Sequence, residues 1–219
     1  MRWLVIWAGG LVISSSERGD TLGKGLRLSG ICRRPERGFS LVELVVSLAI
    51  VLILTAIALP SLTRSYRNYQ LNDAVTRLAG MLKYTRFEAI RRNAPVSCQI
   101  QQIGGNWTVW ADTTPNGNPD NTEQQLLLID GAVLLPAAGL PVSTPISTAV
   151  GAGSLTTLSG SNGSVGFDAR GAVSPSATFV LYIGSATNPE FGYRAVVLLP
   201  SGVTQVWTAP SGGPWVRVG

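Results

Sequence analysis

Histidine is absent from the 219 residues, and cysteine occurs only twice. Without imidazole there is no Ser-His-Asp or Cys-His nucleophile system, no histidine general acid or base, and no HExxH zinc site. Cys32 lies in the N-terminal region and Cys98 far downstream, so no Cys-rich metal cluster can form. Charge is scarce too: Asp, Glu, Lys and Arg together make up 13% of the chain. No internal repeat is present. The pI near 9.7 invites a nucleic-acid partner, but the distribution of charge speaks against one. Residues 1–38 hold seven Lys/Arg against three acids, whereas residues 39–219 hold ten against nine. Residues 64–92 have a net charge of +5 and residues 96–219 a net of −3. A basic stem beside a mildly acidic C-terminal region is a poor footprint for a DNA-binding head.

What the chain does have is one long apolar run. From Phe39 to Leu62 there are 24 residues, and Glu43 is the only charged one. As a helix this run reaches about 36 Å, enough to cross a bilayer core of about 30 Å. A carboxylate at the centre of such a span costs about 2.5–3.5 kcal/mol on insertion scales. Two readings of Glu43 stay open. Either it snorkels to water at the interface, or it awaits a positive partner, such as an amine exposed by cleavage just before Phe39.

Gly38-Phe39-Ser40-Leu41-Val42-Glu43, the basic stretch before it and Pro60 near the end of the run resemble the class III signal of type IV pilins and type II secretion pseudopilins. The resemblance implies a leader over residues 1–38, removed after Gly38 by a prepilin peptidase, and N-methylation of Phe39. Glu43 then becomes the fifth residue of the mature chain and serves subunit assembly. The implied partners are other pilins or pseudopilins, the peptidase, an inner-membrane assembly platform and membrane lipid. No cofactor and no metal are implied. Arg33, Arg34 and Arg37 favour a cytoplasmic N-terminus, against Arg64 and Arg67 on the far side. The head is then periplasmic and the protein single-pass. Leaders of this kind are shorter than 38 residues, and one reading of the extra length is a misassigned translation start. Trp3–Ile13 mimics a secretory h-region but is too short to span. Leu28–Cys32 fails as a lipoprotein signal, because Ile31 stands where a small residue is needed.

After Pro60 the pattern becomes amphipathic. Leu71, Val75, Leu78, Leu82 and Ala89 share one helical face, with Tyr66 and Ile90 at its margins. Pro60 removes a backbone donor, so a kink is expected there. The helix is predicted to end near Arg92, with Asn93 as left-handed cap and Pro95 forbidding continuation. The expected division is 39–62 in lipid and the filament core, 63–93 as the amphipathic half of the same helix, and 94–219 as a β-rich head.

From Val96 the period is two. Val96–Ile103 and Trp107–Ala111 flank Gly104-Gly105-Asn106 and predict a hairpin. Further strands are predicted at Gln125–Ile129, Ser164–Asp168, Ala177–Ile183, Tyr193–Leu199 and Val203–Thr208. The uncharged stretch 136–163 reads as an irregular insertion, with one short strand over Pro141–Ser147. Asp112, Asn116, Asn118 and Asp120 have calcium-ligand chemistry, but their spacing is not that of an EF-hand, and a turn explains them better. Cys98 is expected to be a buried small apolar residue, with an intermolecular disulfide as the alternative. Trp107, Trp110, Trp207 and Trp215 are read as packing residues rather than a carbohydrate surface.

Arg86-Phe87-Glu88-Ala89-Ile90-Arg91-Arg92-Asn93, Trp107–Asp112 and Val165–Gly171 are similar to the group of type II secretion protein H and the minor pilin FimT. This resemblance covers Gly38 to about Gly202 and implies an α+β pilin fold, a long N-terminal helix, transmembrane in its first half, packed on antiparallel sheets. The implied function is that of a minor pseudopilin or minor pilin, a structural subunit and not an enzyme. The alternative is a DNA-binding minor pilin of natural transformation. Relatives that bind DNA do so through a "G-R-x-R" stretch, and the matching place here, Gly202-Val203-Thr204-Gln205, has no arginine. Arg86, Glu88, Arg91 and Arg92 are expected to form a solvated face with a packing salt bridge, the other reading being a subunit contact.

Overall fold

The computed structural model describes residues 38–128 and 131–218. The expectations for the leader, including Cys32 and Arg37, lie outside the described residues. The chain divides into two compact units between Val46 and Ser47.

The first element is a helix, α1, from Leu41 to Arg92, 52 residues long. Its beginning is apolar yet uncovered: Leu44, Leu48, Leu52, Leu59 and Leu62 are all exposed. Farther along, Leu71, Val75, Leu78, Leu82 and Ala89 are buried, together with Ala74, Ala79, Met81, Thr85 and Glu88. The three-and-four spacing read from the sequence thus faces the sheets, while Tyr66 and Ile90 stay largely exposed. The C-terminus forms as the residue types require. Asn93 takes a left-handed φ of 49°, and the Ala94 N–H reaches back to the Ala89 carbonyl.

Among the described residues, ten strands follow in two antiparallel sheets. The first sheet contains β1 (Val96–Ile103), β2 (Asn106–Asp112), β3 (Gln125–Leu128), β5 (Asn162–Phe167) and β6 (Val173–Ser174) in the order β3-β2-β1-β5-β6. The second contains β4 (Ala132–Leu135), β7 (Phe179–Ser185), β8 (Tyr193–Leu198), β9 (Thr204–Ala209) and β10 (Val216–Val218) in the order β10-β9-β8-β7-β4. The predicted hairpin joins β1 to β2, with Ile103 opposite Asn106. Gly104 and Gly105 both have positive φ, which a two-residue hairpin turn of the primed kind demands. Predicted Ile129 lies outside the described residues, and β3 ends at Leu128.

The main core fills the space between α1 and the sheets. Val75, Leu78 and Leu82 join Cys98 and Ile100 of β1, Val109 of β2, Phe167 of β5, and Leu181 and Val196 of the second sheet. A second core lies on the opposite face of β7 and β8, around Val180, Tyr182, Ala195, Val197, Trp207 and Trp215. Those two strands therefore bury both faces, which explains their unbroken apolar runs Phe179–Ile183 and Ala195–Leu198.

The uncharged insertion supplies the lid of this second core. The strand expected over Pro141–Ser147 is not formed; a short helix, α2 (Thr144–Val150), takes its place. Pro145 suits its first turn, and Gly151 closes it in the left-handed conformation at φ 66°. Ile146, fully buried, pins it to the sheet. Trp215 donates its indole N–H to the Pro141 carbonyl at 3.1 Å and packs on Tyr182, ring centroids 5.4 Å apart. All four tryptophans weighed as packing residues are buried.

Candidate assembly site and the helix-end anchor

The signal residues stand at the start of α1. Phe39 is 75% exposed. The Leu44 N–H bonds the Ser40 carbonyl at 3.0 Å, so the helical ladder starts just after the Gly38-Phe39 junction. Glu43 falls in the first turn, where a carboxylate complements the exposed N–H groups of the helix terminus. It is exposed and makes no ion pair among the described residues. The apolar part of α1 is long enough to cross a membrane, and none of it is buried. The helix continues through Pro60, whose carbonyl accepts the Thr63 hydroxyl at 2.9 Å. Upstream, the Thr55 hydroxyl bonds the Val51 carbonyl.

The other motif, at the end of α1, is absorbed into packing. Glu88 receives two hydrogen bonds from Arg91, at 3.0 and 2.7 Å, and one from Arg92 at 3.0 Å. The Arg91 guanidinium holds the Glu88 carboxyl below the usual carboxylate range; burial opposes this and Arg92 reinforces it. Arg92 also donates to the Thr113 carbonyl at 3.2 Å, tying the helix to the loop after β2. Arg86 donates to the Gly171 carbonyl at 2.9 Å. Gly171 and Gly202 both adopt positive φ against that guanidinium, and a Cβ on Gly202 would collide with the Gly171 carbonyl and Arg86. The packing salt bridge expected among these residues forms, between Glu88 and both Arg91 and Arg92. Only Arg91 keeps most of its side chain, 67%, in solvent.

The loop after β2 is held by its own donors. Glu123 accepts the N–H groups of Thr113 and Thr114 at 2.7 and 3.0 Å. Burial pushes its carboxyl up, but the N–H groups of Thr114, Asp120 and Thr113 outweigh that and bring it below the usual range. Asp120 accepts Thr114 and Asn116, and Asp112 accepts Gln99 and the Gly117 N–H. Among the described residues no group of three or more His, Cys, Asp or Glu side chains is placed to hold a metal ion. Sequence reasoning saw this loop as a turn and missed Glu123, whose role depends on the fold of the loop. Cys98 is fully buried, and burial pushes its thiol up to about 12. That fits the small apolar role and not disulfide exchange, which needs a thiolate.

A long N-terminal helix, apolar and uncovered at its start and buried against antiparallel sheets farther on, behind a Gly-Phe-x-x-x-Glu signal, defines a membrane-anchored, pilin-like protein. The family model for the type II transport protein GspH matches residues 74–202, and that for the prokaryotic N-terminal methylation motif matches residues 33–59. The first match spans more than half of the chain, and the chain belongs to the GspH family, a family of structural proteins. The pilin-like protein PilA1 of Thermus thermophilus is 37% identical over 89 residues, 40% of this chain. The chain spans 56% of that relative's length. Two crystal structures of the type IV minor pilin FimU from Pseudomonas aeruginosa resemble it at 17% and 16% identity, with TM-scores of 0.42 and 0.43. They cover 66% and 67% of this chain and 97% and 93% of their own.

Proposed function

We propose that the chain is a minor pseudopilin or minor pilin, a structural subunit assembled into a filament from the inner membrane. The observation that carries this reading is Glu43, a lone carboxylate without an ion partner among the described residues, inside an uncovered apolar helix and four residues after a Gly-Phe junction. A prepilin peptidase cuts after Gly38, and methylation of the new Phe39 amine leaves it cationic. Residues 39–62 span the bilayer with the N-terminus cytoplasmic and the head periplasmic. As the subunit leaves the membrane for the filament, Glu43 accepts the Phe39 ammonium of a neighbour. In a low-dielectric setting that pairing offsets the cost of burying either charge alone. The assembly platform acts on this apolar segment, and Pro60 lets the helix bend as it packs.

The test is Glu43→Ala in the full chain, in cells that make the filament. The variant should be cleaved, inserted and folded, with mass spectrometry finding a methylated Phe39 at its N-terminus. It should be missing from sheared filaments. Incorporation at the normal level would refute the role given to Glu43.

A further inference from the structure

We propose that the head holds a phospholipid headgroup of the aminoethyl phosphate type, that of phosphatidylethanolamine, between α1 and the turn before β8. This rests on the membrane-spanning reading of Phe39–Leu62. A pocket of about 210 Å3 is lined by Arg64, Asn68, Glu190 and Phe191. Arg64 stands two residues beyond Leu62, at the level where the apolar run gives way to headgroups. Arg64 and Asn68 are one turn apart, so both present to the same side. The 3-10 turn Pro189–Phe191 supplies the opposite wall. Its place is fixed, because Phe191 packs on the main core. One turn farther along α1, Arg194 donates to Asn72 at 2.6 Å.

The chemistry of the pocket is that of a zwitterion's complement. A cation and an anion line one small space, yet neither Arg64 nor Glu190 makes an ion pair or side-chain hydrogen bond among the described residues. Arg64 suits a phosphodiester, which its guanidinium can grip with two parallel bonds. Glu190 suits a primary ammonium, and the Asn68 amide can bond the phosphate beside Arg64. Tyr66 and Tyr69, 60% and 69% exposed, flank this level, and tyrosine is the residue type that membrane–water interfaces favour. The same charges rank the competing headgroups. A choline headgroup has no N–H to give Glu190. A glycerol headgroup leaves Glu190 facing net negative charge. A merely basic stem, at +5 over residues 64–92, would instead prefer the anionic lipid.

The experiment uses the full chain in detergent micelles doped with equimolar phosphatidylethanolamine, phosphatidylcholine and phosphatidylglycerol. Mass spectrometry quantifies the lipid retained after washing. The ethanolamine lipid should be enriched about five-fold over either competitor, the worth of one partly exposed charged contact. Glu190→Gln should abolish its advantage over the choline lipid. Arg64→Gln should lower retention of both. Both side chains are exposed, and unchanged near-UV circular dichroism checks the fold of the variants. Equal or greater retention of phosphatidylglycerol by the wild type, or a preference that survives Glu190→Gln, overturns the proposal. Flotation of the same protein with phosphatidylethanolamine/phosphatidylglycerol vesicles keeps the two ideas apart. A chain that floats without headgroup preference sinks the pocket alone, whereas a chain that stays in the aqueous fraction sinks the spanning reading with it.

Discussion

Glu88 shows how a charged residue can be buried at little cost when its partners are in reach. It is 8% exposed, and both arginines come from its own helix, three and four residues on. Its folded pKa lies below the ordinary 4.5, so the carboxylate form favours the folded chain. That contribution is complete above pH 4.5 and is lost as pH falls through the lower, folded value. Glu88→Gln should cost about 1 kcal/mol at neutral pH, a modest figure because the guanidinium groups remain partly in water. Urea unfolding in detergent at a series of pH values checks this. The gap between wild type and variant should close as pH falls below 4.5, while the Glu123 contribution, of the same sign, is lost equally from both. Gly202 is the second residue with a defined task. Its φ of +79° and the crowding against Arg86 and Gly171 make Gly202→Ala destabilising by about 1–3 kcal/mol, read as a lower urea midpoint. An unchanged midpoint would mean that the loop yields and that the Arg86 anchor is not tight.

Among the elements, α1 and α2 stand at opposite ends of what pattern reveals. The second half of α1 repeats apolar residues every three or four positions, and truncating Leu78, which is fully buried, should cost about 2–5 kcal/mol. Its end was legible because Arg91 and Arg92 suit the negative C-terminal end, Asn93 takes the left-handed cap and Pro95 bars continuation. The β1–β2 hairpin was legible from two alternating runs around a Gly-Gly turn. Helix α2 was not: Thr144-Pro-Ile-Ser-Thr-Ala-Val150 is short, rich in β-branched residues and without a side-chain cap, so local propensity points away from a helix. It forms because Ile146 finds the exposed apolar face of β7 and β8, a fact of tertiary structure. β6 and β10 went unseen because two and three residues are too few for a period, and β4 because Ala132–Leu135 is apolar throughout and shows no alternation. In the candidate site, Gly38, Phe39 and Glu43 were legible because their spacing is local. The Arg64–Glu190 pocket was not, since its walls lie far apart in sequence. Ile146→Ala tests the element directly. It should cost about 2–5 kcal/mol and change the near-UV signal of Trp207 and Trp215, which share its core. A stability loss without that spectral change would place the damage elsewhere.

At the scale of the whole molecule, the two halves of one helix obey different sequence rules. In the second half, apolar residues are spaced to meet a sheet. In the first half they occur all round, and Ile50, Leu52 and Leu54 are each more than half exposed. Such a surface is unstable in water, where every buried methylene is worth about 0.8 kcal/mol, but it is matched to lipid. The contributions of the two halves should therefore separate under mutation. Leu52→Lys places an ammonium near the middle of the apolar run, which should weaken membrane insertion by about 2.5–3.5 kcal/mol. The same change should leave the head untouched, because Leu52 belongs to neither core cluster. Two measurements on one preparation decide the matter: the fraction of chain that floats with phospholipid vesicles, and the thermal midpoint of the near-UV tryptophan signal in detergent. Flotation should fall while the midpoint moves by no more than a stability change of about 0.5 kcal/mol would shift it, the range usual for surface substitutions. If instead the midpoint drops and flotation holds, the exposed run is part of the fold of the head, and the spanning reading fails together with the role assigned to Glu43.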